Sequence, residues 1–271
     1  MFRSMKILLA ALAAPLMFVA PLHADDAPAP GKQEAQHFEK DIPVKLDYLL
    51  YLPADYQKDQ EKTWPTIIFL HGSGERGSNV EKVAVHGPPQ FLKEGEAKDL
   101  PLKQFIVVSP QCPANKRWMP FELNAFLDDI IAKYHVDKDR IYLTGLSMGG
   151  YGTWQWAEEN SNRFAAIAPM SGGGNTSPNA LRGLRNMPIW DFHGGADTTV
   201  PPEQSREIVE ALKKIGNTEV KYTEYPGVGH DCWAQPYGTP ELYDWFLQHK
   251  LSDRPAPARR GNGGRRRATN Q

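Results

Sequence analysis

Cysteine is scarce in this chain: Cys112 and Cys232 are the only two in 271 residues. That excludes a small fold held by a disulfide framework, and any zinc module built on cysteine. Net charge is nearly missing too, at -1. The total hides unequal parts, because residues 1–24 carry +2 and residues 252–271 carry +5, which leaves -8 on the body. An acidic body with a basic tail is not a nucleic-acid-binding domain by charge, so no nucleic-acid partner is expected. Internal repeats are absent. The apolar run Ile7–Ala20 has fourteen residues and contains Pro15, short of the roughly 20 that a spanning helix needs.

The ends of the chain read as accessories. Arg3 and Lys6 precede the apolar run and small residues follow it up to Ala24, the pattern of a signal peptide cleaved after Ala24. Export to the periplasm or beyond is therefore expected, with no stable membrane anchor. Residues 25–39 read as a flexible mature start. Residues 252–271 hold six arginines and no apolar periodicity; they read as a disordered tail able to contact an anionic polymer or surface.

The domain between them, 40–251, alternates short apolar runs with helical patterns, which predicts an α/β fold with a mostly parallel central sheet and helices on both faces. Strands are expected over 44–52, 66–70, 105–109, 140–144, 165–170, 188–193 and 219–225. The central ones are apolar almost throughout, as parallel strands covered on both faces should be. Helices are expected over 121–134, 148–159, 203–215 and 239–250. In the last, Leu242, Trp245, Phe246 and Leu247 mark one buried stripe, and Thr239-Pro240 suits a helix start.

Chemistry concentrates at Gly145-Leu146-Ser147-Met148-Gly149. This G-x-S-x-G run follows a strand-like segment and opens a helical one, the context of a nucleophile elbow. A serine in so tight a turn needs neighbours without bulky side chains, and Gly145 and Gly149 provide them. Its hydroxyl needs a base held by a third group. Downstream, Asp197 lies just past the 188–193 strand and His230 just past the last one, in the order serine, acid, histidine. Asp191 falls inside its strand, and Asp231 adjoins the base it would have to orient. His71 and His193 precede glycines at strand ends, where histidines brace loops more often than they act as bases.

The loop Leu70-His71-Gly72-Ser73-Gly74-Glu75-Arg76-Gly77 follows the 66–70 strand. Such a loop supplies one oxyanion-hole amide and the residue after the nucleophile supplies the other, so Met148 and Ser73 are expected as donors, with Gly74 a neighbouring candidate. The loop lacks the Gly-Lys-Ser/Thr ending of a phosphate-binding P-loop. Gln111, Trp118, Trp233 and Tyr237 are candidate substrate contacts, because they lie beyond strand ends or near His230; packing of the loops is the other role open to them.

The pieces LHGSGERG (70–77), HGPPQFL (86–92), FIVVSPQCP (105–113), TGLSMGGYGTW (144–154), HGGADTTVP (193–201) and GHDCW (229–233) together resemble the α/β-hydrolase superfamily. The likeness is to its secreted carboxylesterase branch, including predicted peptidases, phospholipase/carboxylesterase-like and depolymerase-like esterases. The resemblance implies serine ester hydrolysis through Ser147, Asp197 and His230, without cofactor or metal, on a small-molecule or polysaccharide-linked ester. A serine peptidase would share every catalytic residue, and a hydrolase-like binding protein without activity is the non-enzyme alternative. Lids in this fold are commonly inserted between the sixth and seventh strands; here residues 171–187 leave room for a loop and a short helix, so a minimal or absent lid is expected. Cys112 and Cys232 fall on loops that this fold brings to one edge, leaving a disulfide and two buried free thiols both open.

Overall fold

The computed structural model describes residues 42–58, 61–94 and 97–255. The chain divides into two compact units, Met1–Pro43 and Val44–Gln271. The expected signal peptide, the flexible start and the chain from residue 256 onward lie outside the described residues.

Among the described residues of the second unit, seven strands build one sheet. They are β1 (Tyr48–Tyr51), β2 (Trp64–Leu70), β3 (Ile106–Pro110), β4 (Val136–Leu146), β5 (Ala166–Met170), β6 (Ile189–Gly194) and β7 (Val220–Tyr225). The order across the sheet is β1-β3-β2-β4-β5-β6-β7. Only β1 runs antiparallel to its neighbour; every other pairing is parallel. The connecting helices are α1 (Pro88–Glu94), α2 (Pro120–Lys133), α3 (Met148–Glu159), α4 (Pro178–Leu181), α5 (Glu203–Lys214), α6 (Ala234–Tyr237) and α7 (Pro240–Leu247).

Side-chain alternation in the central strands feeds two cores. Ile68 and Leu70 of β2, with Ile141 and Leu143 of β4, pack with Leu123, Leu127, Trp154 and Ile208 from α2, α3 and α5. Ile67 and Phe69 of β2, with Tyr142 of β4, face the other way and meet Leu242, Trp245 and Phe246 of α7. The apolar strand sequences follow from burial on both faces: all seven residues of β2 are buried. In α5 the buried residues Ser205, Ile208, Val209 and Leu212 follow an i, i+3, i+4, i+7 pattern, Glu203 begins the helix and Lys213 and Lys214 end it. Those charges complement the helix dipole.

The expected α/β-hydrolase architecture is observed, with local differences. The last helix stops at Leu247 rather than Lys250, because the amides of Gln248 and His249 close back three residues, onto Trp245 and Phe246, tightening the final turn. Residues 252–255, expected as disordered tail, belong to the domain. Leu251–Asp253 forms a 3₁₀ turn, and the Arg254 guanidinium donates to the carbonyls of Ser161, Phe164, Gly183 and Asn186. The 171–187 segment, where a minimal or absent lid is expected, lies between β5 and β6 and holds only α4 and the turn Arg182–Leu184. Both cysteines are free and buried.

Candidate active site

Strand β4 delivers Ser147 into a turn with φ 52° and ψ -116°. This left-handed-side conformation costs a non-glycine residue of order 1–3 kcal/mol. Its surroundings impose it. The Ser147 amide donates to Met170 O (2.9 Å), and Ser147 O accepts from the Tyr151 amide (3.0 Å) as α3 begins. A Cβ on Gly149 would lie 1.9 Å from Leu70 O, and one on Gly145 2.5 Å from Gly149 O. Glycine at both positions lets α3 approach the end of β2 closely enough to hold the serine at the sheet's edge.

Asp197 follows β6 and His230 follows β7. The two loops are stitched together: Gly195 N donates to Tyr225 O and Ala196 N to Val228 O, both at 2.9 Å. A Cβ on Gly194 would sit 2.0 Å from Gly229 O, so this glycine admits the histidine loop. His230 Nδ1 then lies 2.7 Å from Asp197 Oδ2, and its Nε2 lies 2.9 Å from Ser147 Oγ. The other Asp197 oxygen accepts from the amides of Thr199 (2.8 Å) and Val200 (2.9 Å). Burial opposes its ionisation, but the bonds from His230, Val200 and Thr199 outweigh that and hold the carboxyl below its usual range. On β5's far end Ser171, at φ 45°, donates from Oγ to His230 O at 2.8 Å and so pins the histidine's backbone.

A cleft of about 710 Å³ opens above Ser147. Met148, Ser73 and Trp118, three of the residues expected at the site, line it. A Cβ on Gly72 would come within 3.7 Å of the Ser147 Cβ, so the Gly72–Ser73 backbone runs alongside the hydroxyl. That loop is braced by His71. Burial lowers this histidine to about 4, and the neutral ring donates from Nδ1 to Gly72 O (2.6 Å) and accepts the Cys112 amide at Nε2 (2.9 Å). Trp118 Nε1 in turn donates to His71 O.

The remaining expected contacts sit elsewhere. Gln111 is buried and donates to Glu75 O and Asn79 O, holding the 72–79 loop. Tyr237 is fully buried, its hydroxyl paired with Thr144 and its ring edge-on to Phe69; it is a core residue. Trp233 packs edge-on against the His230 ring, with centroids 5.3 Å apart, beside the base rather than on the cleft wall. One wall escaped the sequence reading: Tyr151, Gln155 and Glu158 of α3. Their spacing of four and three residues on a helix that starts at the serine was the available signal. Burial pushes the Glu158 carboxyl up, partly countered by the Asn175 amide. Among the described residues no group of three or more histidine, cysteine or acidic side chains is placed to hold a metal ion.

Residues 115–239 match the dienelactone hydrolase family model. The chain is 27% identical over 172 residues to the bifunctional acetylxylan esterase/xylanase XynS20E of Neocallimastix patriciarum, covering 58% of this chain and 22% of that protein. It is 29% identical over 168 residues to the poly(3-hydroxyoctanoate) depolymerase of Pseudomonas fluorescens, covering 54% and 59%. The crystal structure of a thermostable esterase superposes with a TM-score of 0.67 at 32% identity, over 76% of this chain and 59% of that one. The chain thus spans less than two thirds of each of these relatives. Its strand order, its elbow and the likeness to the thermostable esterase give the chain the α/β-hydrolase fold.

Proposed function

We propose that the protein is an exported serine hydrolase of carboxylic esters, with Ser147 as nucleophile, His230 as base and Asp197 as the group that orients it. The observation that carries this reading is the unbroken line from Ser147 Oγ to His230 Nε2 (2.9 Å) and from His230 Nδ1 to Asp197 Oδ2 (2.7 Å), at a strained elbow facing an open cleft. His230 takes the hydroxyl proton as Ser147 Oγ bonds to the ester carbonyl carbon. The carbonyl electron pair moves onto oxygen, where the Met148 and Ser73 amides receive it; such donors are worth about 10²–10³ in kcat each. The intermediate collapses, and the alcohol leaves with the proton from His230. Water then gives a proton to His230 and attacks the acyl-enzyme, and Ser147 departs with that proton, releasing the acid. Asp197, kept charged by its hydrogen bonds, stabilises the imidazolium that forms twice in the cycle.

Short-chain, aryl or polysaccharide-linked acyl esters suit this cleft. The 171–188 segment adds no cap, and Trp118 and Tyr151 offer rings at the wall. The acetylxylan esterase among the relatives supports an ester on a sugar polymer. Export is supported by the basic start and apolar run before Ala24. Ser147→Ala should lose at least ~10³-fold in kcat on p-nitrophenyl acetate and all labelling by a fluorophosphonate. Near-native turnover in that variant would refute the nucleophile. Faster cleavage of aminoacyl p-nitroanilides than of aryl esters by the native enzyme would replace esterase by peptidase.

A further inference from the structure

Behind Asp197 lies a second histidine with no contact to the cleft. His193, on β6, is fully buried. Its Nε2 lies 2.9 Å from Val200 O and its Nδ1 lies 2.7 Å from Ser205 Oγ, on α5. A carbonyl can only accept, so Nε2 carries the proton. In the neutral ring Nδ1 is then an acceptor, and the Ser205 hydroxyl proton is committed to it. The same Nε2 is 3.3 Å from Asp197 Oδ2, the oxygen that holds His230.

Two lines therefore run from this ring to the acid. One is direct, edge-on to Oδ2. The other passes through Val200, whose carbonyl is held by His193 and whose amide holds Asp197 Oδ1. An apolar side chain would fill the same space, yet both ring nitrogens of His193 are bonded, one to the 197–200 turn and the other to Ser205 on α5. Two other acidic groups lie near the ring, Glu224 and Asp191. Glu224 pairs in register with His193 across β6 and β7 but is bound to Arg206 and Tyr222. Asp191, two residues back on β6, neighbours Ser205 but makes no hydrogen bond of normal geometry.

We propose that His193, held from its other nitrogen by Ser205, is a positioning residue that clamps the Asp197–Val200 turn and so holds the acid against His230. The inference rests on the Ser147–His230–Asp197 reading. When the clamp is lost, Asp197 still exists but grips His230 less well, so the imidazolium forms less readily at every step that needs it.

The test uses the full-length protein and p-nitrophenyl acetate, with Ser147→Ala alongside. His193→Gln should lower kcat about 10-fold, the low end for a hydrogen bond to a charged group, with KM unchanged. Its acid limb in the pH profile of kcat/KM should move to lower pH, because a loosened carboxylate stabilises the protonated base less; a merely structural role would leave that limb in place. Ser205→Ala should move both quantities in the same direction by a smaller factor, and decides the matter if His193→Gln does not fold. Native kcat with an acid limb that stays put or moves up would overturn the clamp while an inactive Ser147→Ala leaves the triad standing. An active Ser147→Ala would instead overturn the triad itself.

Discussion

Replacing Asp191 by asparagine should change how stability depends on pH. Asp191 is fully buried in β6, and neither carboxylate oxygen has a hydrogen-bond partner. Burial pushes its carboxyl up to about 8. In the unfolded chain the same group titrates near ~4. A raised acid contributes stability that is fully present below the unfolded value and is lost as pH rises through the folded one. Between pH 4 and 8 folding takes up a proton at this site, so the native protein loses a little over 1 kcal/mol per pH unit, or about 3 kcal/mol from pH 5 to 7. His71 works the other way: burial lowers it to about 4, so its contribution is present above ~6.5 and is lost as pH falls through the folded value. Because His71 is common to both proteins it cancels in the difference, and so does any fixed packing cost of the amide. Urea unfolding followed by tryptophan fluorescence at pH 5, 6 and 7 should show Asp191→Asn gaining on the native protein by about 3 kcal/mol across that range. A difference that stays constant with pH would refute the reasoning, since it would mean that Asp191 is ionised in the folded state.

Two further substitutions probe the framework around the site. Gly149→Ala puts a Cβ 1.9 Å from Leu70 O, a backbone atom that cannot swing aside, and should cost about 3 kcal/mol or more of stability; a melting temperature within a degree of native would show that the elbow has slack. Arg254→Ala removes a guanidinium bonded to four backbone carbonyls and should cost about 2–4 kcal/mol in urea unfolding with little change in kcat.

Seven strands were legible because parallel strands buried on both faces leave compact apolar runs, and the elbow was legible because its strain demands glycines at fixed offsets. The order of acid and histidine gave the rest of the hydrogen-bonded line that the structure assembles. What escaped depended on partners far away in sequence. Tyr237 read as a loop aromatic near His230, but its hydroxyl belongs to Thr144, on β4. Gln111 read as a cleft residue, yet its amide is spent on carbonyls of the 72–79 loop. Arg254 looked like one more tail arginine because the backbone carbonyls it binds leave no mark in composition. His193 was read as a loop brace, which is how it sits; which loop it braces needed coordinates.

The Arg254 anchor also fixes a direction. Its carbonyl partners include Ser161 and Phe164, just past the end of α3, whereas the first turn of α3 borders Ser147. Twelve helical residues separate the two ends, roughly 18 Å of rise. The anchor therefore sits at the end of α3 away from Ser147, just past Glu158, where the helix's contribution to the cleft wall ends. A disturbance at Arg254 thus reaches the distal turn of α3 first, and the strained turn at Ser147 lies a whole helix away from it.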